Sequence, residues 1–177
     1  MANVPTPRLL PYGLGLALLA TATHLGWELA HGGVKSHHLL ARQDLPAVSN
    51  WWGLMILPLL GLLASRAVTS RVQANQGTVA HAVAALVGSL LVGAAMSATF
   101  AAGYDSVTSG IFVAAVAVGL VLPIYRVEYV FGFVLGMTFV FGSVIPMIAV
   151  FIAAGSSAAA QFLVRPAFAT FLRRVRG

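Results

Sequence analysis

From Tyr129 to Leu163 the chain runs for 35 residues without one acidic or basic side chain. A stretch of that kind has no charged face to offer water. About 20 apolar residues cross the hydrocarbon core of a bilayer. One straight span would therefore leave much of the stretch unused, and two spans need a very tight turn. Gly142-Ser143, followed by Pro146, has the residues for such a turn. The alternative is a single span bent at Pro146.

The rest of the chain repeats this pattern. Apolar runs predict spans at Pro11–Ala30, Trp51–Ala64, Val79–Ala102 and Val107–Ile124, the second of them short. Between them lie a long polar stretch, Gly32–Asn50, and a polar linker, Ser65–Gly77. Shorter breaks fall at Gly103-Tyr104-Asp105 and at Tyr125-Arg126-Val127-Glu128. Only 8% of the residues are charged, against roughly 25% in soluble domains, so lipid is the expected solvent for most of the surface. The predicted fold is all-α: a polytopic transmembrane helical bundle forming one integral membrane domain over 1–177, with six spans preferred and five as the alternative. Pro58, Pro123 and Pro146 are expected to kink the spans they touch. Gly132-x-x-x-Gly136 is a small-residue pattern for close helix approach, within the chain or between copies in a homo-oligomer.

Ten Lys and Arg stand against four Asp and Glu, a net charge of +6. The basic residues sit between the apolar runs and at the C-terminus, where they read as topology determinants and headgroup contacts rather than as a nucleic-acid surface. With six spans Arg8, Arg66, Arg71, Arg126 and the C-terminal arginines, among them Arg173, Arg174 and Arg176, share one side. Lys35 and Arg42 lie opposite. Five spans would nearly erase that bias. The expectation is therefore a bacterial inner-membrane protein with both termini cytoplasmic, the 32–50 loop outside, and a basic tail at 165–177. An Arg126–Glu128 pair is expected to anchor the inner interface. Arg8, the apolar run Leu9–Ala20 and Ala20-Thr21-Ala22 resemble a signal peptide. The apolar pattern continues to Ala30, so a retained first helix is expected. The absence of cysteine excludes disulfides and thiolate metal sites.

Polar chemistry concentrates between positions 24 and 44. His24, Glu28 and His31 fall within about 60° of one another on a helix, a stripe that lipid would not tolerate and that is expected to face the bundle interior. Two imidazoles and a carboxylate suit a divalent metal, zinc among them. Gly32-Gly33 would end the helix. Ser36 would cap a short helix through Gln43, folding His37 and His38 back over the stripe as a further ligand or an orienting group. Asp44, or Asp105 beyond the third span, is the candidate general base. Asn50, Trp51, Trp52 and Tyr104 are the candidate substrate entrance, and Ser49 or Asn50 would cap the second span. His81 is expected at the opposite membrane face.

Three functions follow from this pattern. One is a membrane-embedded, metal-dependent hydrolase of a lipid or amphiphile, in which the metal lowers the pKa of a bound water. Another is a transporter or channel for protons, metal ions or a small solute, with the stripe as relay. The last is an accessory subunit of a membrane complex. The sequence carries no His-Glu-x-x-His metalloprotease signature, no glycine-rich phosphate loop and no lysine within a span. The spread of Ser, Asp and His over several helices found in ceramidase-like hydrolases is also missing.

Overall fold

The computed structural model describes residues 8–38, 44 and 46–167. About 81% of what it describes is helical, which settles the class as all-helical apart from one short hairpin. Six α-helices occur among the described residues: α1 (Leu10–Ala30), α2 (Gly53–Gln73), α3 (Val79–Ala101), α4 (Asp105–Val121), α5 (Val127–Phe141) and α6 (Val144–Ala159). A single turn of 3-10 helix, Asn50–Trp52, leads into α2, and α6 continues through a π-helical turn at Ala160–Val164. The segments Asn50–Gln73, Val79–Ala101 and Val144–Ala167 are long and apolar enough to cross a membrane. Helix α1 has the length, 21 residues, but carries His24 and Glu28. Helices α4 and α5 are shorter, with 17 and 15 residues.

Successive helices run in alternate directions. Asn50, ahead of α2, reaches Glu28 near the end of α1, and the α5–α6 turn at Gly142 packs on Asn50. At the other end Arg71, in the last turn of α2, meets Glu128 in the first turn of α5. The 129–163 stretch is thus two helices rather than one bent at Pro146. Gly142 makes the break at φ 67°, a left-handed conformation that glycine adopts without a Cβ clash. Pro146 lies in the first turn of α6 and Pro123 lies beyond the end of α4, where neither removes an intrahelical hydrogen bond. Pro58 alone of the three lies in the interior of a helix, beyond its first turn.

Helix α5 is the hub. Its buried residues include Phe131, Phe133, Val134, Leu135 and Met137, which cover most of its circumference, and α2, α3 and α6 pack around it. The α3–α5 contact is the most extensive of all because both helices present glycine there. A Cβ on Gly136 would lie 2.7 Å from the backbone N of Ala94, and one on Gly93 would lie 3.3 Å from the Gly136 Cα. The Gly132/Gly136 face is therefore occupied by α3 of the same chain. Ser97 Oγ donates to the Gly136 carbonyl at 3.1 Å across that seam.

Two sequence expectations change. Helix α2 does not stop at Ala64. It continues through Arg66 and Arg71 to Gln73, because Ala64, Ser65 and Val68 remain buried against the bundle while Arg66 points out. Ser36 does not start a helix. Ser36–His38 is a strand, β1, paired antiparallel with β2 (Ala47–Ser49) in the register Ser36↔Ser49 and His38↔Ala47. Gly32 and Gly33, at φ 107° and 103°, turn the chain sharply off α1 as expected. The base of the hairpin is tied down when Asn50 N–H donates to the Lys35 carbonyl at 3.0 Å. Arg42, Gln43, Arg173, Arg174 and Arg176 lie outside the described residues.

Candidate functional site

The first polar cluster is built on the end of α1. Glu28 is buried at 4% exposure, in the last turn of its helix, where the negative end of the helix dipole disfavours a carboxylate. Two donors offset that. Asn50 Nδ2 donates to Oε1 at 2.7 Å and the Lys35 backbone N–H donates to Oε2 at 3.2 Å. Glu28 thereby fastens the hairpin and the start of α2 to the end of α1. Asn50, expected at an entrance, is instead buried at 4% exposure as part of this fastening. Ser49 is the residue that caps, accepting from Trp51 N–H at 3.4 Å.

His24 is one turn below Glu28 and is 2% exposed. Its Nε2 stands 3.5 Å from Glu28 Oε1 and forms no hydrogen bond. The ring lies edge-on to Phe139 at 5.3 Å. Ser143 Oγ, in the α5–α6 turn, is a second buried polar atom without a partner. Such atoms are uncommon in folded proteins and mark places where water, an ion or a ligand group belongs.

His31 leaves the stripe. It is the residue after the last turn of α1, at φ −118° and ψ 36°, so the helical angle that would aim it at Glu28 no longer holds. Its ring stacks on Trp27 at 3.8 Å, its Nδ1 lies 2.8 Å from the Trp27 carbonyl, and it is exposed. His37 is half-buried on β1, and His38 and Asp44 are exposed on the hairpin. Among the described residues no three His, Asp or Glu side chains converge as a metal-ligand set. Trp51 and Trp52 are half-exposed, at 50% and 52%, and line a surface depression of about 420 Å³ with Ser49, Leu54 and Met55. Tyr104 and Asp105 sit exposed at the start of α4. They share an end of the bundle with the cluster, and among the described residues no hydrogen bond or ion pair joins them to it.

The second site was not legible as such. Glu128, 3% exposed, meets Arg71 Nη2 at 2.6 Å through Oε2. The angles are not those of a hydrogen bond, so the attraction is one of charge. Arg71 in the last turn of α2 and Glu128 in the first turn of α5 each complement their own helix dipole. The expected Arg126–Glu128 pair does not form: Glu128 is taken by Arg71, and Arg126 is the extended residue ahead of the helix, at φ −69° and ψ 140°. Arg126 precedes α5, and its guanidinium has no ion pair or hydrogen bond among the described residues. His81 lies at this end, as expected, with Nδ1 2.7 Å from Thr78 Oγ1.

Next to this pair is a cavity of about 1000 Å³. Its cause is the path of α4. Near the α3–α4 turn the two helices touch, with Thr99 Oγ1 and Thr108 Oγ1 at 2.8 Å. Along its length α4 packs on α3 and α6 and hardly on α5. Its far end is held by α6 instead: Ser157 Oγ donates to the Leu122 carbonyl at 2.9 Å, and Gln161 and Arg165 donate to the Val121 carbonyl at 3.1 and 2.8 Å. The space left between is walled by Val92, Ile111, Phe112, Phe133 and Val150. Gly88 of α3 and Ala114 and Val118 of α4 line it and are themselves exposed, so it opens sideways between those helices. Arg71, Glu128, Arg126, His81 and Tyr129 ring one end.

The chain matches no protein-family model, no curated protein and no solved structure.

Proposed function

We propose that this chain is a six-span integral membrane protein that holds an amphiphilic, lipid-like molecule between α3 and α4. The cavity carries the reading. Its volume is at the upper end of the roughly 300–1,000 Å³ of small-molecule sites, and such sites are mostly apolar with a few polar groups at fixed places. Apolar walls with ionic residues at one end have the chemistry of a tail and a headgroup. The basic residues support the orientation. Arg8, Arg66, Arg71, Arg126 and Arg165 gather toward one end of the bundle and Lys35 toward the other, so the termini belong on the cytoplasmic side.

The test uses Gly88, where an added Cβ would meet nothing within 4 Å although the residue lines the cavity. A Gly88→Phe variant puts a ring on the cavity lining at a position where the first added atom meets no neighbour. Native mass spectrometry of the detergent-purified protein is expected to find one retained phospholipid in the parent and several-fold less in the variant. Equal retention in both, with unchanged helicity, would rule the reading out.

A second reading keeps the amphiphile as substrate and places metal-dependent hydrolysis at the outer cluster. The unpaired His24 Nε2 beside the Glu28 carboxylate favours it, being two donors of the kinds zinc accepts. A catalytic site needs a third protein ligand, and His37 on β1 is the candidate for it. Elemental analysis by plasma mass spectrometry is expected to give near-stoichiometric metal in the parent and none in His24→Ala or Glu28→Ala. Protein that stays metal-free after incubation with zinc removes this reading.

A further inference from the structure

We propose that the cavity selects a phospholipid whose headgroup carries a single net negative charge, taken from the leaflet on the Arg71–Arg126 side. This rests on the cavity reading above and adds the identity of the headgroup.

Charge at the mouth decides the sign. The whole chain has four acidic residues, and of these Glu128 alone lies at this end. Glu28 and Asp44 belong to α1 and the hairpin, and Asp105 to the opposite turn. Glu128 is matched by Arg71 at 2.6 Å. Arg126 is then one guanidinium in excess, half-buried on the cavity wall and without an ionic partner among the described residues. Holding a cation half out of water without a partner is costly, and a planar guanidinium matches a phosphate oxygen pair. A zwitterionic headgroup brings its own ammonium into the same space, where Arg126, the guanidinium in excess, repels it.

Depth decides the leaflet. On α3 the lining runs from His81 at the charged end to Val92, eleven positions further on, or about 16 Å at 1.5 Å per residue. That is about half of the roughly 30 Å hydrocarbon core. The acyl chains of one leaflet fill it when the headgroup sits at the level of Arg126 and His81. The lateral opening at Gly88 and Ala114 lets a lipid enter from the side, without its headgroup crossing the apolar core.

The experiment compares phosphatidylglycerol with phosphatidylcholine of identical acyl chains, each titrated into delipidated parent, Arg126→Gln and Gly88→Phe proteins and read by native mass spectrometry. The parent is expected to bind phosphatidylglycerol at least five-fold tighter than phosphatidylcholine. Arg126→Gln is expected to bring the two within two-fold, chiefly by weakening phosphatidylglycerol, and Gly88→Phe to weaken both. Equal affinities in the parent, or a preference that persists in Arg126→Gln, overturns the headgroup assignment while leaving an amphiphile site in place. Binding of both lipids that Gly88→Phe does not weaken overturns the cavity reading itself, and the assignment with it.

Discussion

Glu28 and Glu128 are both nearly inaccessible to solvent and are stabilised differently. Glu28 has two hydrogen-bond donors and an imidazole at 3.5 Å. Glu128 has a guanidinium. The distinction predicts different responses to mutation. Arg71→Gln strands a buried carboxylate, and loss of one partner from a buried pair costs about 3 kcal/mol or more. The double variant Arg71→Gln, Glu128→Gln removes the charge as well and is expected to recover most of that loss. Denaturant titration of the three proteins in the same detergent checks it; a double variant as unstable as the single would show that Arg71 stabilises by packing instead. The sequence marked Glu28 because three ionisable groups shared one helical stripe. It misassigned Glu128 because the nearest basic residue along the chain, Arg126, is not the nearest in space.

At the level of elements, the apolar runs located every helix, and the errors came at their ends. The residues Ser65–Gln73 looked like a linker because Arg66, Ser70, Arg71 and Gln73 are polar. On a helix they alternate with Ala64, Val68 and Val72, so the apolar face continues for two more turns. The hairpin was missed because its six paired residues show no clean alternation, and tertiary ties at Lys35 and Asn50 hold it. The small-residue pattern on α5 signals a close helix approach without saying to which helix, and the helix packed there is α3. Its energetic weight is testable. Gly136→Ala puts a methyl 2.7 Å from the Ala94 backbone nitrogen, and overpacking of that kind costs about 1–3 kcal/mol. Gly110→Ala on α4, where nothing lies within 4 Å of the new methyl, is expected to be neutral or slightly stabilising. Thermal unfolding of both variants separates seam packing from a general effect of removing helical glycine.

For the molecule as a whole, scarcity of charge was enough to predict a bundle of apolar helices, and the cavity was invisible. A void depends on how far α4 stands off from its neighbours, and no local pattern encodes that spacing. The alternation of helix ends makes a prediction at this scale. The chain lacks cysteine, so Ser36→Cys, Ser106→Cys and Gln76→Cys each create a unique label site. In intact cells a membrane-impermeant maleimide is expected to reach Ser36→Cys and Ser106→Cys and to react with Gln76→Cys only after permeabilisation. Labelling of all three from one side would refute the six-span arrangement. The attachment of α4 has one more consequence, for divergence. Ser157, Gln161 and Arg165 grip carbonyls of the main chain, and a main-chain carbonyl is the same whatever residue bears it. Ala114 and Val118, exposed on the cavity lining, can therefore be exchanged for other apolar residues without touching that grip, so the shape of the cavity can change while the attachment of α4 stays the same.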